Sequence, residues 1–267
     1  AERLGYEDPF LAVREPFQMW GIQGDESLKE RLPFVKAGLP GVFVTPDVTP
    51  YKKRKVRILN GAHTAFVPGS WVAGFDIVRD CMHDETVRGF MNTMLYDEVI
   101  PTLAADLDVE DCKAFAAAVE NRFDNPFIDH ALLSICLNST AKWRARDLPT
   151  LKDYVAETGN LPKCLATSLA TLIAFYTQEL VSREGDGLHL RRADGTEYTA
   201  QDDAFVLDFY AAHAGADDAE LVHDVLSNEQ MWGEDLTQIA GLEEFVVNAL
   251  AVVRAEGAKQ AFANAQA

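Results

Sequence analysis

Hydrophobic residues are spaced in one way before about residue 49 and in another after it. In the first stretch, short apolar runs are cut by Gly and Pro. Phe17-Gln18-Met19-Trp20-Gly21-Ile22 and Val42-Phe43-Val44-Thr45 read as strands, with a helical turn or two over Glu26–Val35 between them. From there on, apolar residues recur every three or four positions, the repeat of helices with one buried face. Thr49 is a good N-cap and Pro50 suits the first helical position. Ile58, Leu59, Ala62, Ala65 and Phe66 give this helix its apolar side, and it is expected to end near Pro68-Gly69. A short helix follows over Phe75–Met82, then a long one over Glu85–Leu103 built on Val87, Phe90, Met91, Met94, Leu95 and Val99. Asp108 caps the next helix, and Pro126 is expected to open one that runs to about Arg146. Leu151–Thr158 gives another, and Pro162–Leu180, the most apolar segment, is the expected central helix. Asp194-Gly195, between Leu188–Arg192 and Thr196–Tyr198, marks a two-stranded hairpin. Helices resume over Asp202–His213, Asp217–Leu226 and Gly241–Gly257, and the Ala- and Gln-rich tail from Lys259 is expected to fray. The fold class is mainly α and multihelical, with a few short strands at the N-terminal end and a small hairpin near 188–198.

Composition narrows the function. At 267 residues, 48% hydrophobic and 25% charged, the chain has ample material for a core. A formal net charge of −18 argues against nucleic acid and against anionic membrane surfaces, since phosphates would be repelled. An anionic small molecule is still compatible with it, because a local basic pocket can outweigh the global field. Cys81, Cys112, Cys136 and Cys164 form no Cys-x-x-Cys pair and read as core residues of a reducing compartment. No apolar run reaches the ~18 residues of a membrane span and no signal peptide is evident, so the chain reads as cytoplasmic. Neither an Asp-x-Asp-x-Asp-Gly loop nor a His-Glu-x-x-His helix occurs, and no metal is predicted. Asp202-Asp203, Asp217-Asp218 and Glu243-Glu244 are explained by their places at helix starts.

Candidate chemistry gathers in Lys55, Asn60 and His63. At ~100° per residue they stand at about 0°, 140° and 80° around an α-helix, on one side of it. An amine, a carboxamide and an imidazole facing one cleft suit alcohol–carbonyl interconversion: the amine moves a proton, the carboxamide donates to a developing alkoxide and the imidazole holds a hydroxyl. The spacing by itself fits a solvated polar stripe as well. A lysine used as a base needs its pKa lowered from about 10.4. Lys52, Arg54 and Arg57, within a turn of Lys55, are the expected contributors. Arg122 and Asn125, just before Pro126, read either as groups bordering a cleft or as an Asn-Pro turn with a capping Arg. Arg144 and Arg146 read as a solvated helix end.

The stretch Pro50-Tyr51-Lys52 with Arg54-Lys55-Val56-Arg57 and Leu59-Asn60-Gly61-Ala62-His63-Thr64 resembles the signature of the long-chain, metal-independent polyol dehydrogenases, the mannitol dehydrogenase family. In that signature a lysine is followed five positions on by asparagine and three further on by histidine. Further similarities lie in Arg122-Phe123 with Asn125-Pro126, Leu133-Ser134-Ile135 with Leu137-Asn138, Ala174-Phe175-Tyr176, and Asp235-Leu236-Thr237-Gln238 with Gly241-Leu242. They carry the resemblance from about residue 14 to about residue 250.

The resemblance implies Lys55 as general acid–base, Asn60 as oxyanion donor and His63 as a positioning group. It implies NAD as cofactor and a sugar acid or polyol as substrate, most nearly a keto-uronate and sugar-acid pair, with another uronate or a polyol as the alternative. A uronate carboxylate calls for a cation: Arg122 is the first candidate and Lys142 the second, with Asn125 at the edge of the cleft. No Gly-x-Gly-x-x-Gly or Gly-x-x-x-x-Gly-Lys-Ser/Thr is present to hold a pyrophosphate. Residues 49–267 are accordingly expected to be a helical C-terminal substrate domain. Residues 1–48 are expected to be an extended segment, with Val13–Trp20 leading from an N-terminal Rossmann-type domain absent from this chain. Cofactor-binding residues are left unassigned. A helical interaction module without catalysis is the reading from another class.

Overall fold

A computed structural model describes residues 5–7, 10 and 18–267, and the Val13–Phe17 part of the expected extended segment lies outside them. Residues divide into two compact units, Ala1–Lys53 and Arg54–Ala267. In the first unit, β1 (Trp20–Gln23) pairs in parallel with β2 (Val42–Thr45), Trp20 opposite Val42 and Gln23 opposite Thr45. The crossover carries α1 (Glu26–Arg31), whose cap Asp25 accepts the Ser27 N–H at 2.9 Å, and α2 (Pro33–Lys36), which opens on its proline. Asp47 rather than Thr49 caps α3 (Thr49–Arg54), since its carboxylate accepts the Thr49 N–H at 2.8 Å.

The second unit is helical. A π-helical turn, Lys55–Asn60, leads into α4 (Gly61–Val72), which runs through Pro68 instead of stopping there. Then come α5 (Val78–His83), α6 (Glu85–Thr93), a second π turn (Met94–Val99) and a 3₁₀ turn (Pro101–Leu103), where one long α-helix was expected. As expected, Asp108 caps α7 (Val109–Phe123), accepting the Asp111 N–H at 2.9 Å.

The helix expected from Pro126 to Arg146 does not form as one piece. Proline disfavours helical backbone at the residue before it, and the Asn125 side chain accepts the Phe127 N–H at 2.9 Å, closing a turn. Helix returns only with α8 (Leu132–Ile135), stops at left-handed Asn138 (φ 53°), and restarts as α9 (Ser139–Arg146). The helix α10 (Leu148–Thr158) ends, as its sequence indicates, on left-handed Gly159.

The centre is α11 (Lys163–Tyr176), buried at every position from Cys164 to Tyr176. It packs against α4, α15 (Leu242–Glu256) and α16 (Ala258–Ala265). Leu180 falls outside it, in β3 (Glu179–Glu184), which adds a third strand to the expected hairpin of β4 (Gly187–Arg191) and β5 (Glu197–Ala200). Arg192, buried in the turn of that hairpin, lies over the Trp71 ring at 4.5 Å and donates to the Trp71 carbonyl at 3.1 Å. It thereby ties the sheet to the end of α4. Helices α12 (Ala204–Ala212), α13 (Asp218–Leu226) and α14 (Glu229–Trp232) complete the chain order. The tail does not fray: Phe262 of α16 is fully buried and stacks on Phe90 at 4.1 Å, and Lys259 pairs with Asp84 at 2.6 Å. All four cysteines are free and buried, and no helix among the described residues is long and apolar enough to cross a membrane.

Two contacts fix the central helix. Gly69 of α4 lies so close to α11 and α16 that an added methyl would sit 2.5 Å from the Phe262 ring and 2.8 Å from the Thr171 hydroxyl. At the start of α11, no side chain of its own satisfies the free N–H groups, and buried Glu98 of the second π turn does so instead. Its two oxygens accept from Cys164 N (2.7 Å) and Leu165 N (2.9 Å). Burial outweighs these bonds and raises the Glu98 carboxyl to about 7.

Gly69→Ala should lower unfolding free energy by roughly 1–3 kcal/mol, the usual cost of overpacking, although alanine is the better helix former. Urea denaturation checks it. Because the folded state raises the Glu98 pKa, folding favours its protonated form. Its contribution to stability is complete below about 4.5 and is lost as pH rises through about 7. Relative to Glu98→Gln, the native chain should lose up to about 3 kcal/mol between pH 5 and 8, read from urea midpoints at each pH.

Candidate active site

The π turn changes how the motif is arranged. Gly61 N–H bonds back to the Val56 carbonyl, five residues away, as well as to Ile58. With i→i+5 bonding, residues five apart lie one above the other, so Asn60 follows Lys55 up the same side. The α-helical wheel had set them about 140° apart. His63 comes three residues later in ordinary α-helix, on the adjoining face. The 5+3 spacing is therefore that of one π turn followed by most of an α turn. Gly61 is needed at the junction, because a methyl there would meet the Asp147 carboxylate at 2.8 Å.

His63 is held by rings. It stacks on Phe123, at the end of α7, with centroids 3.9 Å apart and planes 14° apart, and His130 meets it edge-on at 5.6 Å. Its Nε2 is buried and has no hydrogen-bond partner in the protein. Burial, reinforced by His130, Arg146, Arg122 and Lys55, holds its pKa down to about 3, so the imidazole is neutral at physiological pH. A neutral ring with a buried, unsatisfied nitrogen suits a substrate hydroxyl.

Lys55 is exposed at the mouth of this cluster, and its pKa is lowered first by partial desolvation and then by Arg146 and Arg122. Two of the expected contributors, Arg54 and Arg57, are engaged elsewhere. Arg57 is buried and donates to Thr150 Oγ1 (2.5 Å) and Asp153 (3.1 Å), while Arg54 lies 4.8 Å over the Phe115 ring. Asn60 is half-buried, and its backbone carbonyl accepts from the Thr64 hydroxyl at 3.0 Å.

Of the other expected residues, Arg122 ends α7 within electrostatic reach of both Lys55 and His63. Asn125 has its side-chain oxygen committed to the Phe127 N–H and its carbonyl to Arg79, in a loop further held by the Arg79–Asp129 ion pair at 2.5 Å. Lys142 is half-buried and donates to the Ile135 carbonyl at 2.9 Å; burial and then Arg146 lower its pKa.

Three residues escape a reading of the sequence. His130 has no motif of its own and reaches the site through the non-helical loop, where its carbonyl accepts from Val78 N at 3.0 Å. Arg146 is not at a solvated helix end: it is half-buried and donates to Thr64 Oγ1 at 2.9 Å. Asp147 is fully enclosed, and desolvation pushes its carboxyl well above the usual range despite Arg146 and Arg57 nearby. Among the described residues, no group of three or more His, Cys, Asp or Glu is placed to hold a metal ion.

A multihelical domain that carries this lysine–asparagine–histidine spacing on a π turn and the helix after it defines the class of a dehydrogenase C-terminal domain. The chain belongs to the family described as mannitol dehydrogenase C-terminal domain, matched over residues 47–254. It is 42% identical over 266 residues to an altronate oxidoreductase of Escherichia coli, covering 97% of this chain and 52% of that protein. The altronate oxidoreductase of Shigella flexneri is 41% identical with the same coverage. The chain thus spans about half the length of the curated relatives it matches. In solved structures, it aligns with Pseudomonas fluorescens mannitol 2-dehydrogenase in a ternary complex with NAD and D-mannitol, at TM-score 0.70 and 22% identity over 84% of this chain and 42% of the other. A substrate-free D-sorbitol dehydrogenase aligns at TM-score 0.68 and 20% identity, over 86% and 43%. These two establish the shared fold.

The neutral state of His63 is open to measurement. Its ring chemical shifts should stay flat between about pH 5 and 8 in an NMR titration of the chain, and a midpoint near the ordinary ~6.5 would contradict the packing described.

Proposed function

We propose that this chain is the substrate-binding and catalytic C-terminal domain of an NAD-dependent oxidoreductase that interconverts a keto-uronate and its sugar acid, of the tagaturonate–altronate type. The observation that carries the reading is the π turn, which sets Lys55 and Asn60 one above the other beside neutral His63. The 41–42% identity to altronate oxidoreductases favours a uronate over a polyol. The pyrophosphate of the dinucleotide is assigned to a second domain of the full-length protein, in keeping with relatives about twice as long. No glycine-rich cradle for it occurs in this sequence.

When bound, NAD supplies or takes the hydride at the reacting carbon. This chain's residues handle the oxygen and its proton. During reduction the carbonyl oxygen gains negative charge; the Asn60 amide donates to it, and the Lys55 ammonium gives up a proton to form the alcohol. In oxidation the neutral Lys55 amine takes the hydroxyl proton. The lowering of its pKa by desolvation and by Arg146 and Arg122 favours that form. An uncharged donor such as Asn60 acts mainly on the developing alkoxide, where a cation would also hold the ground state. His63, neutral and stacked, fixes a neighbouring substrate hydroxyl through Nε2.

In the full-length protein, tagaturonate should be reduced in preference to fructuronate and fructose; a strong preference for fructose would move the assignment to the polyol branch. Lys55→Ala should lower kcat by roughly 10²–10⁴-fold and Asn60→Ala by about 10²–10³-fold, with thermal melts nearly unchanged. The double variant should lose less than the product of the two. An unaltered kcat in folded Lys55→Ala protein removes the lysine from the mechanism, and absence of any dehydrogenase activity in the native protein leaves a non-catalytic module.

A further inference from the structure

The cluster around Lys55 gathers cations in a chain whose net charge is −18. Lys55, Lys142 and Arg146 make no ion pair with any described residue. The two carboxyls nearest them are occupied in other ways. Asp147 is buried and strongly shifted toward its neutral form, and Asp202 accepts from Thr140 N at 3.0 Å and from the Tyr176 hydroxyl. Half-buried cations without a carboxylate carry a desolvation cost that an anion would offset.

Arg146 is the best placed of them. Its Nη1 donates to Thr64 Oγ1 at 2.9 Å, and that same hydroxyl donates to the Asn60 carbonyl at 3.0 Å. One hydroxyl therefore locks the guanidinium to the backbone of the proposed oxyanion donor. This contact uses one N–H of five and leaves the others for a ligand. A guanidinium fork matches a carboxylate in two-point fashion, which an ammonium cannot do. Lys142 stands four residues earlier on α9, one turn away on the same face, and its amine is anchored to the Ile135 carbonyl at 2.9 Å. The charge of Arg146 acts on Lys55, His63 and Lys142 alike.

We propose that Arg146, steadied by Thr64 and backed by Lys142, binds the carboxylate of the substrate. It holds the far end of an open-chain sugar acid while the carbonyl end meets Lys55 and Asn60. The proposal rests on the dehydrogenase reading and names the residue that makes an anionic substrate preferred over a neutral one. Arg146 is then a specificity residue, while the proton is moved by Lys55.

The test is steady-state reduction by the full-length protein of tagaturonate and of tagatose, which carries a hydroxymethyl group where tagaturonate has its carboxylate. In Arg146→Met, kcat/KM for tagaturonate should fall by roughly 10²-fold more than that for tagatose, the weight of lost charge-assisted hydrogen bonds; any effect on both substrates alike reports the influence of Arg146 on Lys55. Arg146→Lys should recover part of the preference, and Thr64→Val, which removes only the steadying hydroxyl, should weaken it. The tagatose rate and a thermal melt serve as folding controls; if Arg146→Met does not fold, Arg146→Lys and Thr64→Val carry the test. An unchanged preference in folded Arg146 variants, or a loss confined to Arg122→Met, overturns the proposal and leaves the dehydrogenase reading standing. A native protein inactive on both substrates overturns the dehydrogenase reading, and the proposal with it.

Discussion

The close approach of α4 to α11 at Gly69 is the constraint on which the site's position depends. With no room for a methyl between that glycine, Phe262 and Thr171, the helix bearing the motif cannot slide or rotate on the core. One end of α4 is tied to the sheet by Arg192, and the other starts at Gly61 against Asp147. The central helix is itself set by Glu98, which brings a carboxylate into the interior to satisfy N–H groups that water cannot reach. Packing thus supplies a rigid rail, and the residues proposed for chemistry are displaced from it by one irregular turn.

That irregular turn also shows how far the sequence could be read. The caps at Asp108 and Gly159, the buried run of α11 and the Asp-Gly hairpin were legible, because each depends on neighbours in sequence. The association of Lys55, Asn60 and His63 was legible as a spacing, although the reason for it was not. A hydrophobic repeat of three and four cannot disclose that one hydrogen bond skips a residue. The expected Pro126 helix failed on a local contest that its apolar residues hid: Asn125 gives its side chain to the Phe127 N–H, and Phe127 is left almost wholly exposed. The third strand, the docked tail and the place of Arg146 depend on partners far along the chain, such as Phe90 for Phe262 and Thr64 for Arg146.

Burial acts in opposite senses on the ionisable groups. It lowers the pKa of His63, leaving the imidazole neutral, and raises that of Asp147. A strongly acidic protein thereby concentrates positive charge in one small region. Its outer field disfavours anions at long range, while this region attracts them at short range.

A π turn is in effect a helix that has absorbed one residue more than its hydrogen bonds require. Deleting any one of Val56, Arg57, Ile58 or Leu59 would let the turn relax to the i→i+4 pattern and shorten the path from Lys55 to Asn60 to four residues. Four residues of α-helix span about the same turn as five of π-helix, so the amine would keep its side of the helix relative to His63, which Gly69 holds to the core through α4. Here the rotation is stored in the bonding: with every residue kept, a return of this one turn to α-helical bonds would carry the amine about 100° away from the carboxamide.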